Sequence, residues 1–404
     1  MRLNKYLMTN ITAVLIVISF LFFRPGLFGQ TNTDIAFVLI VLVIFFVGVT
    51  RKFEVNIPPD LYFFSSMFIF WGLLLLFGTI GDSNLDFLLK AFTTNFIIVS
   101  LLCFWVLGNE NITRSVVNYY LLILSFFGYS SLMSLLFFFS GFGVEQLQIS
   151  ELDLGYVSPS KLLIPFSVLY HDMHSGTFNI LRFQSIFRES GIAQAFFTWA
   201  FVIAYYLNCS RWVLIGLIFG LLLTFSTTGI AIAALVLPLA YIAKRRVYGN
   251  MYRQVLSIIF YIFVGIIIIL LSYYATMNLP YFGVVSKLET HGASIHDRVP
   301  NFDNITLLGQ GFYSTKGGHN SAINLLKGSE SIGLLLTLFY IFMFTFMSWF
   351  GNSKIVGYKV FVALLPLFIT SLIAQPIVDA PLVFILLFVT RQVLSTSTPN
   401  ITGC

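Results

Sequence analysis

Charge is what this sequence has least of. Only 9% of its 404 residues are charged, while 58% are apolar and 46 are phenylalanine. A soluble domain of ordinary composition carries about a quarter charged residues, so that class is excluded. The three cysteines, Cys103, Cys209 and Cys404, have neither metal-ligand spacing nor the density of a disulfide framework, and read as small fillers. Histidine is scarce too, and His171 and His174 have no second pair or carboxylate cluster to complete a metal site; a short surface turn explains their spacing. The run from Gly309 to Gly318 lacks the G-x-x-x-x-G-K-[ST] order and a βαβ context, so no nucleotide site is implied. Neither metal nor cofactor is expected. The net charge of +6 points to no nucleic acid partner, because in a chain this apolar the distribution of charge between two membrane faces carries the information.

What is present is a succession of apolar runs that approach or exceed the roughly 20 residues needed to cross a bilayer as helix. Spans are expected near residues 7–23, 34–50, 61–79, 86–108, 115–139, 191–208, 212–226, 229–243, 255–272, 331–350, 358–374 and 377–391. The fold class is therefore all-α, a polytopic integral membrane protein of about 12 helices with two long extracytoplasmic loops. Arg2 and Lys5 precede the first run without an A-x-A-like cleavage signal, so that run is expected to be a retained helix. The short segments 212–226 and 229–243 suit tilted or broken helices meeting at the polar turn from Phe225 to Gly229. With the N-terminus in the cytoplasm, thirteen of the 22 basic residues and three of the 16 acidic ones fall on that side, and Lys244-Arg245-Arg246 gives the strongest bias. Both ends are then cytoplasmic. The chain divides into membrane helices in 1–139, a first external loop in 140–190, central helices in 191–272, a second external loop in 273–330, and final helices with a cytoplasmic tail in 331–404.

Residues 273–330 are the polar outlier, with Lys287, Arg298, Lys316, Lys327 and three of the five histidines. Within them His319-Asn320 precedes a membrane run; histidine exchanges a proton near neutral pH, and asparagine can orient a substrate or a loop. Glycines around Gly309 and Gly311 suit a tight turn bringing polar groups to the interface. The first loop ends in Arg182-Phe183-Gln184-Ser185-Ile186-Phe187-Arg188-Glu189-Ser190-Gly191. Arg182 and Arg188 suit either anchoring at the membrane surface or a recessed anion site, which the guanidinium fork favours. Glu189 either pairs with Arg188, caps the next helix, or acts in chemistry. Lys90 reads as snorkelling to the interface, and Asp379 as a cap or a cavity-lining group.

Taken together, Arg182 to Ser190, the segment Leu223 to Gly229, Arg298, Leu308-Gly309-Gln310-Gly311 and His319-Asn320 followed by Gly333 resemble the bacterial O-antigen polymerase and ligase superfamily. The likeness covers residues 180–335 in motif form, and the whole chain in helix pattern. Phe187-Arg188-Glu189-Ser190-Gly191 is more similar to the polymerase branch. Family members commonly carry an arginine after the serine of the Ser226 segment, where this chain has Thr227; either that arginine is not catalytic, or Arg182, Arg188 or Arg298 supplies the charge.

The resemblance implies a GT-C-like, metal-independent glycosyltransferase of the bacterial cytoplasmic (inner) membrane. Its substrate would be a polyprenyl-diphosphate-linked oligosaccharide, and its partners membrane lipid and the flippase and chain-length regulator of the same pathway. The implied product is a longer O-antigen, capsule or exopolysaccharide chain. The alternatives are a ligase that moves the glycan to lipid A core and, from another class, a flippase for lipid-linked oligosaccharide. His319, Glu189 and Arg298 are the implied catalytic residues. His319 is the first choice of base and Glu189 the second, with Arg298 and either Arg182 or Arg188 on the diphosphate; Asn320, Gly309 and Gly311 line the substrate site.

Overall fold

The computed structural model describes residues 5–29, 32–50, 59–77, 85–153, 160–175, 178–245, 305–307, 325, 329, 333–350, 353–374, 377 and 380–396. The chain is mainly helical, and three stretches, Leu89–Leu107, Glu110–Phe139 and Lys354–Ile373, are long and apolar enough to cross a membrane. Shorter apolar helices accompany them. Outside 255–272, which lies beyond the described residues, the described residues of each expected span are mainly helical, because runs this apolar satisfy their backbone groups internally.

Two compact units emerge, each described on its own. The first contains α1 (Lys5–Phe20), α2 (Thr33–Thr50), α3 (Pro59–Phe77), α4 (Leu85–Phe92) and α5 (Val99–Leu101), with π-helical turns at Thr93–Ile98 and Leu102–Leu107 breaking the register of the expected fourth span. It also holds the start of α6 (Glu110–Phe139), all of α11 (Leu334–Trp349), the start of α12 (Lys354–Ile369) and all of α13 (Pro381–Thr396). The helix α2 is apolar all round, and Val38, Val41, Leu42, Phe45 and Val49 form an exposed apolar stripe at helical spacing. A helix of that kind is comfortable only in lipid or in a large core. Inside the unit, the Phe68 ring lies 4.0 Å from that of Phe384, tilted by 39°, and Trp71 lies 5.5 Å from Tyr340, whose hydroxyl donates to Ser371 at 3.2 Å. Arg391 on α13 is buried and donates to the Phe350 carbonyl at 2.8 Å. Lys90 pairs with Asp34 at 3.0 Å; both are exposed, and such a pair adds little stability.

The second unit corrects the all-α expectation. Residues 140–190 are not an irregular loop: a short helix α7 (Val144–Leu147) leads into β1 (Gln148–Leu152), β2 (Ser160–Leu163), β3 (Ser167–Ser175) and β4 (Phe178–Phe183). The strands form one antiparallel meander in the order β1-β2-β3-β4. His171, Asp172 and His174, expected in a surface turn, lie in β3 opposite Arg182, Leu181 and Asn179. Among the described residues no cluster of three or more metal-ligating side chains occurs. The sheet buries Leu163, Leu169, Leu181 and Phe183 with Leu147 of α7 and Leu223, against Leu132, Leu135 and Phe138 of α6.

Beneath it run α8 (Ser190–Tyr206), α9 (Arg211–Leu223) and α10 (Thr227–Arg245). Ser210 caps α9 by accepting from the Val213 amide at 3.5 Å. Gly128 of α6 and Gly216 of α9 are in backbone contact, and Gly220 meets the Phe197 ring of α8, so a β-carbon at any of the three would force the helices apart. Lys244 ties the far end together, donating to Asn208 at 2.7 Å and lying 3.9 Å over the Tyr205 ring. Cys209, at that same end, is in a disulfide rather than serving as a simple filler.

Candidate anion site at the start of α8

After β4 the chain must turn into α8 in six residues, and each is fixed by burial or by hydrogen bonds. Gln184 extends the ladder through its amide to the Val168 carbonyl at 3.0 Å, and Ser185 adopts φ +55°, a conformation L-residues seldom take. Ile186 and Phe187 are buried, and the Phe187 ring sits 4.5 Å from Phe196 on the first turns of α8. This anchor sets Arg188 and Glu189 at the helix entrance. Glu189 holds the N-cap position, with extended backbone (φ −142°, ψ 150°) and its carbonyl accepting from Ala193 at 2.9 Å. Its side chain, however, makes no capping bond, and it forms no ion pair with Arg188. Both ordinary roles anticipated for the Glu189 carboxylate are therefore absent among the described residues.

The carboxylate instead shares a small electrostatic cluster with Tyr170, Arg182 and Arg188. Burial raises the Tyr170 phenol above its ordinary range and Glu189 adds to this, while Arg182 and Arg188 oppose it. Burial lowers the Arg182 guanidinium from its usual range, opposed by Tyr170 and Glu189. Arg182 is held on two sides. Its Nε donates to the Thr224 carbonyl at 3.1 Å, and its guanidinium carbon lies 5.4 Å from the Tyr170 ring centroid. Its Nη groups make no hydrogen bond among the described residues. A guanidinium so pinned keeps its outer donors in a fixed orientation, which suits a phosphate oxygen.

Thr224 belongs to the turn between α9 and α10, and the broken-helix reading of 212–243 holds: α9 stops at Leu223, Phe225 takes φ +45°, and α10 starts at Thr227. Ser226 accepts from the Gly229 amide at 3.4 Å. Gly229 in turn lies directly against the amide of Gln194 on α8. The starts of α8 and α10 thus come together, and each helix start carries the positive end of a helix dipole. Gln194 is 0% exposed, yet among the described residues neither its Oε1 nor its Nε2 has a partner, and the buried Ser190 hydroxyl one turn earlier has none. Unpaired buried amides are costly, so this pair marks a place where polarity is retained for something other than packing.

Arg182, Arg188 and Glu189 are thus brought together. Arg298, Gly309, Gly311, His319 and Asn320 lie outside the described residues, as does Asp379. Tyr170, Thr224 and Gln194 were not anticipated. A signal for Gln194 did exist: Ser190, Gln194 and Thr198 repeat every fourth residue through an otherwise apolar span, a polar stripe on one helix face. No family model, no curated protein and no solved structure matches the chain.

Proposed function

We propose that the chain is a polysaccharide polymerase of the bacterial cytoplasmic membrane, joining polyprenyl-diphosphate-linked oligosaccharide repeat units on its outer side. The observation that carries this reading is the pinned Arg182, with Arg188 and Glu189, above two converging helix N-termini in a chain of apolar helices. Such a site suits an anion attached to a lipid. On this proposal about 12 helices cross the membrane in a GT-C-like arrangement, both chain ends are cytoplasmic, and the sheet and the start of α8 face outward.

The reaction needs little beyond charge and position. The acceptor hydroxyl oxygen attacks the anomeric carbon of the donor sugar, the bond from that carbon to the diphosphate oxygen breaks, and its electron pair leaves with polyprenyl diphosphate. Arg182 and Arg188, with Arg298 from the second loop, stabilise the developing negative charge. The hydroxyl proton passes to His319, with Glu189 as the second candidate. Asn320, Gly309 and Gly311 are assigned to the substrate's sugar side.

The test is reconstitution of the purified protein in vesicles with a defined polyprenyl-diphosphate-linked repeat. A ladder of longer polyprenyl-linked products supports polymerisation. Product only on added lipid A core makes the protein a ligase, and movement across the bilayer without a new bond makes it a flippase.

A further inference from the structure

We propose that the turn between β2 and β3, residues Ile164 to Phe166, is a wedge inserted among the phospholipid acyl chains of the outer leaflet. The inference rests on α6 crossing the membrane, and it assigns the turn a depth that its place in an external sheet does not suggest.

The depth comes from α6 itself. It is one unbroken helix of 30 residues from Glu110 to Phe139, about 45 Å at 1.5 Å per residue. At one end Arg114 pairs with Glu110 at 2.8 Å, which keeps that turn at a polar boundary. A hydrocarbon layer about 30 Å thick then extends roughly 20 residues, to the neighbourhood of Ser134. Seating α6 further toward Phe139 only draws more of it under the surface.

The turn is clamped to this segment. The Ser134 hydroxyl donates to the Ile164 carbonyl at 2.5 Å, and the Ser167 hydroxyl lies 2.6 Å from it. The Ser134 hydroxyl also lies 3.1 Å from the Ser130 carbonyl of its own helix, and in the Ser134–Ser167 contact either hydroxyl can donate. From there the turn points toward the membrane interior, because the Phe166 ring lies 6.5 Å from that of Phe126. Phe126 is two turns further down, about 12 Å from Ser134 along the axis. Phe126 and Phe166 are 52% and 55% exposed, and Ile164 is exposed beside them.

The backbone chemistry suits lipid. The Ile164 amide donates to the Leu147 carbonyl at 2.8 Å, its carbonyl is taken by Ser134, and Pro165 has no N–H to satisfy. Two large apolar side chains thus project from a turn whose named polar groups are answered by protein. An aqueous turn would have no use for that combination.

The test uses a cysteine-free chain in phospholipid vesicles, carrying one nitroxide at a time at F166C or I164C, with L122C on the exposed face of α6 and E151C on β1 as references. Collisions with oxygen, which concentrates in lipid, are compared with collisions with a water-soluble nickel chelate. Labels at 166 and 164 are expected to behave like the label at 122, favouring oxygen, while the label at 151 favours nickel. Nickel access at 166 equal to that at 151 would place the turn in water and overturn the proposal. So would shielding from both reagents, which indicates a covering protein surface such as a second copy. Nickel access at 122 as well would instead remove the membrane-crossing reading of α6 itself.

Discussion

Replacing Arg182 separates its two tasks, holding the α9–α10 turn and presenting charge to a substrate. In the folded protein its Nε bond to Thr224 is a charge-assisted hydrogen bond, a class that contributes about 1.5–3 kcal/mol. The cation–π contact with Tyr170 adds about 0.5–2 kcal/mol. R182A loses both, and is expected to lower the unfolding temperature in detergent as well as turnover. R182K keeps one charge but not the fork, so its ammonium can meet Thr224 or the diphosphate and not both. Loss of one fixed donor to a developing anion costs about 10²–10³ in turnover, or 2.7–4 kcal/mol. R182K is therefore expected to unfold close to wild type while transferring at least about tenfold more slowly, because only part of that stabilisation survives. The assay is product formation per folded enzyme in vesicles, with R114A as the surface-pair control. Wild-type turnover in both Arg182 variants would refute the assignment of Arg182 to the diphosphate.

Other perturbations test neighbouring parts of the site. G229A drives a β-carbon into the Gln194 amide and is expected to destabilise by about 1–3 kcal/mol, with most of the loss recovered in G229A/Q194A as measured by thermal unfolding. Q194L removes a buried amide with no partner among the described residues; stability is expected to hold or rise while turnover falls on the order of tenfold, the value of one lost hydrogen bond. Tyr170 is raised and Arg182 lowered in the folded state. The first costs stability only as pH climbs past the ordinary tyrosine value, and the second costs it only below the ordinary arginine value, by a constant amount through neutrality. A turnover inflection near neutral pH is expected to follow His319 and to vanish in H319N.

The helices were legible because burial in lipid demands long apolar runs, and those survive any uncertainty of register. The sheet was not legible. In β3 the alternation of Val168, Leu169 and Tyr170 gives way to His171, Asp172 and His174, so a polar strand looked like a turn. Once β4 is known, Arg182 is no longer a loop residue near a helix but a strand residue pinned to a carbonyl from a different hairpin. That contact links residues 42 apart, and no local pattern announces it. Gln194 was hidden differently: its polarity was visible, but the absence of a partner is a property of packing around Gly229.

Polymerisation has a stoichiometry that neither ligation nor translocation shares when the lipid-linked repeat is the only glycan supplied. Each new glycosidic bond must release one polyprenyl diphosphate as the chain grows by one repeat. Measuring both products in reconstituted vesicles is the most direct test. Equal amounts of released polyprenyl diphosphate and added repeats are predicted, and both should be lost together in R182A. Repeat units that cross the bilayer with their diphosphate bond intact and no chain growth would contradict the proposed function.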